Sequence, residues 1–507
     1  MSLKSEHFYT LLNLITGLIT VMVQFAIGFF LSPFIVKALG AEANGYTQLA
    51  TNFVMYASLL TTAFNSMASR FVSIAYHQGN VEKSKKYFSS IYVVNMCLIA
   101  LLLPISLLIT FRLEDVIVIE HVDKLDVKLL FGCVFANFFL SMISSLYSIS
   151  MYVKNAVFYS NILNCLKTIS NAVLLFVVFS LLPIKIFYVS FVALLLSLLM
   201  LPAYIHYQRI LLPEIYIKRK YFSLSAVKEM FLSGIWNSVN QCGHLLLTGL
   251  DLLLSNWFIS PFAMGMIAVS KTIPSAIIQL ATTLNNNFSP SITQRWAKSD
   301  YNGVLKELRM AMKVSIVIVS VPIVTFCCLG VKFYVLWQPT LDPVKLMVLS
   351  ILGCLSFIIF AGTQILYNVL TASNRLKVNS LTFVIMGVIN VLIVYVGLKS
   401  FPQYGMYIIV GTSSVLSIFR QLVIMLPYMA KLLRQRWYVF YKELLMTLLC
   451  CLMNVLIAFI VMHLLPITGW FVLAMDVLII VLTVVCVEGL LLLTKSERNK
   501  IIHLKQR

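Results

Sequence analysis

The sequence predicts an all-α polytopic membrane protein with about 14 transmembrane helices. Of its 507 residues, 60% are hydrophobic and only 11% are charged, and the mean hydropathy is +0.94. Soluble domains carry about 25% charged residues, so this composition excludes a soluble enzyme and a disordered or fibrous chain. The formal net charge of +20 would suggest nucleic acid as the partner of a soluble protein. Here the basic residues occupy short loops between apolar runs, which favours the membrane surface and no nucleic acid.

Fourteen apolar runs reach the roughly 20 residues that a helix needs to cross a bilayer. They lie at about 11–36, 47–69, 89–111, 128–153, 157–182, 185–207, 231–257, 262–289, 311–337, 344–370, 378–398, 404–429, 444–465 and 468–493. The first run is longer than the ~7–15 apolar residues of a signal peptide, so we expect it to remain as the first span. All ten cysteines lie inside these runs and are interpreted as small core residues.

The basic residues predict that both termini are cytoplasmic. In that orientation 28 of the 38 lysines and arginines, including Lys86 and Lys167, lie on the cytoplasmic side. Eight lie on the outer side, and Lys271 and Arg420 fall within spans. An acidic loop lies outside and is interpreted as a solvated surface; its residues are Glu114, Asp115, Glu120, Asp123 and Asp126.

An offset of 220 residues superimposes the predicted span starts, for example 11 on 231, 89 on 309 and 185 on 405. Six spans per unit is an even number, so the two units have the same orientation and form a parallel repeat. The repeat predicts an N-terminal six-helix lobe at 1–210 and a C-terminal six-helix lobe at 211–430. Two extra helices and a basic cytoplasmic tail follow at 431–507.

Polar stripes run along spans 1, 2, 7 and 8. The offset pairs Thr62, Asn65 and Ser69 of span 2 with identical residues of span 8. Span 1 carries Asn13, Gly17, Thr20, Gln24, Gly28 and Ser32, and span 7 carries Asn237, Asn240, Gln241, His244, Thr248, Asp251 and Ser255. Contacts between helices explain a single Ser, Thr or Gly. The combined Asn, Gln, His, Asp and Lys content favours a water-filled path lined by these four spans.

The stretch NLITGLITVMVQFAIGFFLSPFIVKALGAEANGY (Asn13–Tyr46), followed by FNSMASRF (Phe64–Phe71), resembles the bacterial polysaccharide flippases. These belong to the multidrug/oligosaccharidyl-lipid/polysaccharide exporter superfamily, and two six-span units plus two spans agree with it over the whole chain. The resemblance implies a MATE-like, V-shaped transporter of the bacterial cytoplasmic (inner) membrane. It would flip an undecaprenyl-diphosphate-linked, O-antigen-type oligosaccharide from the cytoplasmic to the outer leaflet by alternating access.

The alternative within the superfamily is a multidrug exporter coupled to a cation. The acidic residue that many of those exporters carry in span 1 has no counterpart here, where Asn13 and Gln24 stand instead. A membrane-embedded polysaccharide polymerase is a third hypothesis, but the longest outer loop, near 112–127, is short for sugar chemistry.

The resemblance implies four kinds of partner: the lipid-linked oligosaccharide, membrane lipids, H⁺ or Na⁺ as coupling ion, and other polysaccharide-assembly proteins. The sequence lacks a phosphate-binding glycine loop, a paired-carboxylate site and a Cys/His metal cluster. We therefore expect a transporter without cofactor or metal, driven by an ion gradient or the substrate gradient, and not an enzyme.

Nine residues are candidates for the substrate path: Gln24, Asn65, Arg70, Asn240, His244, Asp251, Lys271, Asn285 and Arg420. Asp251 and Lys271 lie about 15 Å from the outer ends of adjacent antiparallel spans, so we expect them to pair, either structurally or for function. His244 precedes Asp251 by seven residues, hence on the same helical face. It is interpreted as a proton relay or as a hydrogen-bonded lumen histidine.

A lipid diphosphate is anionic and is bound by Arg or Lys. Lys271, Arg420 and Arg70 are candidates for that role, although Arg70 equally fits an ordinary cytoplasmic anchor. Arg375 fits an anchor better. In span 14, Asp476 and Glu488 lie outside the repeat, and Glu488 is interpreted as structural.

Overall fold

The computed structural model describes residues 3–373, 375–464 and 469–492, and these residues form helices and connecting turns without a strand. The all-α membrane fold predicted from the sequence is thereby confirmed. The chain divides into two compact units, Met1–Ala268 and Val269–Arg507. The division into two six-helix lobes and two extra helices remains a prediction.

The first unit is built from eight helices and most of a ninth. They are α1 (Leu3–His77), α2 (Val81–Phe111), α3 (Leu113–Val116), α4 (Lys124–Val153), α5 (Phe158–Leu181), α6 (Phe187–Leu211), α7 (Leu224–His244), α8 (Asp251–Phe258) and α9 (Pro261–Ser270). A π-helical segment, Leu245–Gly249, joins α7 to α8. The boundary between the units falls within α9.

The second unit contains the remaining nine helices of the described part. They are α10 (Thr272–Ala297), α11 (Tyr301–Trp337), α12 (Pro343–Thr363), α13 (Tyr367–Ser373), α14 (Leu376–Ser400), α15 (Gly405–Phe419), α16 (Leu426–Leu432), α17 (Tyr441–Leu464) and α18 (Trp470–Leu492). A second π-helical segment, Arg420–Met425, joins α15 to α16.

Twelve helices in the described part are long and apolar enough to cross a membrane. The first, Ile15–His77, covers two of the fourteen predicted spans, which are separated at Gly40. The predicted span 231–257 corresponds to α7, the π-helical segment and α8, and therefore is not one continuous apolar helix. Each of the fourteen predicted runs is mainly helical where it is described, but the count of fourteen spans remains a prediction.

Gly40 interrupts α1 with φ 84° and ψ 168°. This positive φ is open to glycine because it has no Cβ to clash with the backbone. The interruption turns what would be one 75-residue helix into two segments that can cross the membrane in opposite directions.

The helix starts follow the spacing of the predicted repeat. α2 begins at Val81 and α11 at Tyr301, which is the offset of 220, and both helices are capped in the same way. The side chain of Asn80 accepts a hydrogen bond from the backbone N–H of Lys83, and that of Asp300 accepts one from Gly303. The residues before the caps, Gly79 and Ser299, both have positive φ, so the offset extends to the local backbone.

The acidic outer loop is more ordered than a solvated surface. Glu114 forms ion pairs with Lys124 at 2.8 Å and Lys128 at 2.7 Å, and these two ammonium groups lower the pKa of Glu114 to about 2. The backbone of Val118 exchanges two hydrogen bonds with the side chain of Asn256, at 2.8 and 3.0 Å. The loop is therefore fixed to the start of α4 and to α8.

Asp126 departs from the expectation of a solvated residue. Its side chain is buried, and its two oxygens accept the backbone N–H groups of Ile186 and Phe187, both at 2.8 Å. These amides begin α6 and have no partner within their own helix, so a carboxylate on α4 caps another helix. A contact across 60 residues of sequence carries no local signal, which explains why the sequence interpretation of Asp126 was wrong.

The second half of α1 packs closely on α7. A Cβ built on Gly234 would overlap the carbonyl oxygen of Ala63, so only a hydrogen atom fits there. Polar contacts accompany this approach: Thr62 donates to Gln241 at 3.0 Å, and Gln241 donates to Ser58 at 2.8 Å. Small residues and interhelical hydrogen bonds are how helices associate in lipid, where no hydrophobic force drives their contact.

We predict that Gly234→Ala lowers stability by about 1–3 kcal/mol, because the added methyl group forces α1 and α7 apart. Gly28→Ala is the matched control, since a Cβ there would meet nothing within 4 Å. The measurement is the thermal unfolding of both purified variants in detergent. Equal melting temperatures would show that the α1–α7 contact is not close.

A second prediction concerns orientation. In a cysteine-free background, Asp123→Cys should react with a membrane-impermeant thiol reagent in intact cells, and Lys86→Cys should not. Both side chains are exposed, so accessibility depends only on the side of the membrane. The reverse labelling pattern would contradict the cytoplasmic location of the termini.

Candidate functional site

A row of serines marks one face of α4 near its C-terminal end. Ser141, Ser144, Ser145 and Ser148 follow the spacing i, i+3, i+4, i+7, which places them on one side of a helix. Each hydroxyl donates to a carbonyl three or four residues earlier in the same helix, at 2.7, 3.0, 2.9 and 2.7 Å. Because their protons are used within the helix, these serines present oxygen lone pairs to the space beside them.

That space consists of two adjoining cavities within the first unit, which we call the serine-lined cavity. The first has a volume of about 290 Å³ and is lined by Asn65, Ala68, Ser69, Ile91, Ser145, Leu146, Ser148, Ile149, Met151, Tyr152, Val157 and Ser160. The second has a volume of about 240 Å³ and is lined by Ser141, Ser144, Ser145, Ser148, Ser160, Leu163, Asn164, Lys167, Ser197, Met200 and Tyr204. Ser145, Ser148 and Ser160 line both, so the two volumes adjoin.

Lys167 provides the charge of this cavity. The sequence interpretation counted it among the cytoplasmic basic residues, but it lies nine residues into α5, about 14 Å along the helix axis. Its ammonium group donates to Ser197 at 2.6 Å, and Ser197 in turn bonds to Asn137 on α4. Among the described residues, neither the lining of the cavity nor these hydrogen bonds include an acidic side chain, so this lining carries a positive charge without a carboxylate.

Hydroxyl lone pairs, two amides and one ammonium group define what the cavity can bind. Serine oxygens accept hydrogen bonds from hydroxyl groups, and the ammonium of Lys167 attracts phosphate or carboxylate. Aromatic lining is limited to Tyr152 and Tyr204. A polyhydroxylated, anionic group fits this chemistry better than an apolar cation.

Most of this site was not predicted from the sequence, because the polar stripes expected to line the path lie on spans 1, 2, 7 and 8. The signal was present in the SMISSLYSIS segment of α4, whose serine spacing matches one helical face. Of the nine predicted path residues, Asn65 lines the cavity. Gln24, Arg70 and His244 are exposed, and Asn240 is half-buried. The side chain of Asn285 lies outside the described residues.

The first half of the polar stripe on α1 contacts α5. Asn13 accepts the backbone N–H of Phe158 at 2.7 Å and donates to the carbonyl of Asn155 at 3.0 Å. Asn161 donates to the carbonyl of Asn13 at 3.1 Å, and Thr20 donates to the carbonyl of Asn161 at 3.1 Å. Interhelical contact, the alternative explanation for a polar stripe, therefore accounts for Asn13 and Thr20.

Asp251 begins α8 directly after the π-helical segment and is 1% exposed. The expectation that His244 and Asp251 share a face assumed 3.6 residues per turn, and the π-helical segment between them breaks that period. His244 is exposed, so the two side chains lie in different surroundings. Lys271 is half-buried between α9 and α10, and its pairing with Asp251 remains a prediction.

Arg420 is fully buried in the second unit, at the start of the π-helical segment after α15. Its guanidinium donates to the hydroxyl of Tyr367 at 2.8 Å and to the side-chain oxygen of Asn379 at 2.9 Å. It also lies over the ring of Phe383, 3.5 Å from the centroid. This cation is thus held by neutral oxygen atoms and an aromatic face, which is a favourable environment in a low-dielectric interior.

One group of metal-ligating side chains occurs in the described part of the chain: Glu42, Glu120 and His121. The ring Nδ1 of His121 lies 2.8 Å from a carboxylate oxygen of Glu42, which raises the pKa of His121. This pair is sufficient to explain the arrangement without an ion.

Comparison with known proteins identifies the family. A model of the family described as polysaccharide biosynthesis protein matches residues 11–286, which is more than half of the chain. The chain belongs to the polysaccharide biosynthesis protein family. The matched segment contains every residue that lines the serine-lined cavity of this polysaccharide biosynthesis protein.

Relatives and solved structures agree with this assignment. The "uncharacterized membrane protein EpsK" of Bacillus subtilis (strain 168) is 26% identical over 435 residues, which cover 85% of each chain. The lipid II flippase MurJ in an inward closed conformation superimposes with a TM-score of 0.70 at 15% identity, covering 94% of this chain and 98% of MurJ.

An inward-facing multidrug resistance MATE family transporter of the MOP superfamily gives a TM-score of 0.68 at 12% identity, covering 82% and 96%. At such identities these structures show the fold alone. The predicted resemblance is confirmed at the level of the polysaccharide biosynthesis family: the protein is a multi-pass membrane protein, and its fold is that of the solved flippase and transporter structures.

The lining of the cavity in this polysaccharide biosynthesis protein can be tested with two neighbouring positions of α5. In a cysteine-free background, Asn164→Cys should react with a small water-soluble thiol reagent, because Asn164 lines the cavity. Leu166→Cys should remain unreactive, because Leu166 is half exposed on another face of α5, toward lipid. The two positions differ in depth by about 3 Å, so equal reaction rates would contradict a water-accessible cavity.

Proposed function

We propose that this polysaccharide biosynthesis protein flips an undecaprenyl-diphosphate-linked oligosaccharide from the cytoplasmic to the outer leaflet of the bacterial cell membrane. The observation that carries the proposal is the serine-lined cavity with the single ammonium of Lys167. A sugar moiety offers many hydroxyl donors, and a diphosphate or an acidic sugar offers the anion. These are the groups that serine lone pairs and a lysine bind.

The cytoplasmic half of the bilayer is the depth at which such a substrate would enter. In the predicted orientation α4 ends and α5 begins on the cytoplasmic side, and the lining residues of both helices lie near those ends. The cavity would then receive a headgroup made in the cytoplasm and shield it from hydrocarbon. The fold shared with MurJ, a lipid II flippase, supports a lipid-linked substrate.

The multidrug alternative is favoured by the similarity in fold to a multidrug resistance MATE family transporter. A site for apolar cations requires aromatic walls and a carboxylate. The cavity lining contains two tyrosines, one lysine and no acidic residue, so its charge would repel a cation. The polysaccharide substrate is the better fit.

The other predicted path residues are proposals of the same kind. We propose that Arg70, Lys271 and Arg420 are the additional cations available to a diphosphate. Gln24, Asn65, Asn240, His244, Asp251 and Asn285 are then proposed as polar contacts along the path. A coupling ion, H⁺ or Na⁺, and contacts with other polysaccharide-assembly proteins complete the proposal.

The decisive experiment measures flipping of a fluorescent lipid diphosphate oligosaccharide in reconstituted vesicles. We expect Lys167→Met to reduce the rate about tenfold or more, since a hydrogen bond to a charged group contributes about 1.5–3 kcal/mol. Leu166→Met, on the neighbouring exposed position, should keep the native rate. Equal rates for both variants would remove Lys167 from the site, and transport of cationic drugs without transport of the oligosaccharide would favour the multidrug alternative.

A further inference from the structure

Glu488 lies on α18, one of the two helices beyond the predicted repeat, and its side chain is fully buried. It faces Ser320 of α11 and Asn454 of α17, both also buried. One carboxyl oxygen, Oε1, accepts the side-chain amide of Asn454 at 2.8 Å and the hydroxyl of Ser320 at 3.0 Å. The sequence interpretation regarded Glu488 as structural, but these contacts define a site of specific chemistry.

Two oxygen atoms of this site, Glu488 Oε2 and Asn454 Oδ1, have no nitrogen or hydroxyl donor in the described part of the chain, and the weak thiol donor of Cys450 is the further group within hydrogen-bonding range of the carboxyl group. These two oxygens belong to the same two side chains that Oε1 and Nδ2 already join. A carboxylate has no proton to donate, and the amide oxygen can only accept. As long as Glu488 is ionised, Asn454 Oδ1 is therefore left without a donor and Oε2 has at most a weak thiol donor, which is costly in a membrane interior.

Among the described residues, the surroundings offer no positive charge to an ionised carboxylate. No ion pair joins Glu488 to a described lysine or arginine, and Lys313, on α11, lies seven residues before Ser320. The titratable neighbours are thiols: Cys450 is within hydrogen-bonding range on α17, Cys451 follows it, and Cys327 lies farther along α11. On α18 itself, Asp476 is twelve residues away.

We propose that Glu488 is a proton-binding site in the membrane. The proton resides on Oε2 and is donated to Asn454 Oδ1, while Asn454 Nδ2 donates to Oε1. The acid and the amide then form a closed pair in which one proton satisfies both of these oxygens. A sodium ion fits less well, because it requires several further oxygen ligands and Oε1 already accepts two hydrogen bonds.

The functional consequence rests on the proposed function. If transport is coupled to protons, Glu488 is the group that loses and regains one in each cycle, since its neutral form is favoured only while the carboxyl group is buried away from water. Movement of α18 against α11 and α17 would expose the carboxyl group and release the proton. Coupling would then reside in the two helices beyond the repeat.

The test is infrared spectroscopy of the purified protein in lipid vesicles, which requires no transport. We expect a carbonyl band of a protonated carboxylic acid that is lost in Glu488→Gln. Glu82→Gln is the matched control, because the side chain of Glu82 is 71% exposed, and its loss should leave the band intact. Asn454→Leu should shift the band to the position of an acid without a hydrogen-bond acceptor.

An acid band of equal intensity in Glu488→Gln would overturn the proposal, as would a carboxylate band that changes when sodium is replaced by choline. If Glu488→Gln fails to accumulate, an unshifted band in Asn454→Leu overturns the proposal instead.

Coupling is tested separately by measuring flipping under an imposed pH gradient. If the flipping rate of Glu488→Gln no longer responds to the pH gradient, coupling through Glu488 is supported. If the variant responds like the native protein, Glu488 is a protonated structural residue and does not couple transport to protons. Absence of flipping in the native protein would contradict the proposed function, while the infrared result still decides the proton site.

Discussion

Water is absent from the hydrocarbon core, so each polar side chain on a span must find its partner within the protein. This constraint explains the contacts of both units. Asn13 and Asn161 bond α1 to α5, and Thr62 and Gln241 bond α1 to α7. In the second unit the same requirement surrounds Arg420 with hydroxyl and amide oxygens. The polar residues of the spans are thus first of all the means by which helices are held together in lipid.

The serine-lined cavity meets the constraint differently. Its α4 serines satisfy their hydroxyl protons on the carbonyls of their own helix, so no neighbouring helix is needed to stabilise them. Such a surface can be wetted, filled by a substrate and emptied again without breaking a contact between helices. Lys167 is similarly held by Ser197 in the absence of an anion. A site that is stable both empty and occupied suits a transporter, which must release what it binds.

The fold was predictable because it follows from run lengths of about 20 apolar residues and from the positions of glycine and proline between them. The site was less predictable because its determinants are contacts across many residues. Lys167 was assigned to the cytoplasmic side by counting charges, which ignores whether a lysine inside a helix faces a cavity. Asp126 caps α6 from 60 residues away in the sequence, and no local sequence pattern predicts that contact. The serine spacing of α4 was the exception, since one helical face can be read from sequence.

The α-helical period of 3.6 residues per turn is interrupted at the two π-helical segments, and a buried charged residue lies at or next to each of them. Asp251 follows Leu245–Gly249 within two residues, and Arg420 is the first residue of Arg420–Met425. A π-helical turn widens the backbone and leaves a carbonyl in need of a donor. In the first unit Tyr56 and Asn52 donate to the carbonyl of Gly249, at 2.8 and 3.2 Å. In the first unit the turn also rotates the residues after it, and Asp251 follows it at a buried position. A buried charge and an irregular backbone therefore occur together in these spans: in the first unit, side chains of α1 satisfy the widened backbone at Gly249, and the turn is followed by the buried Asp251.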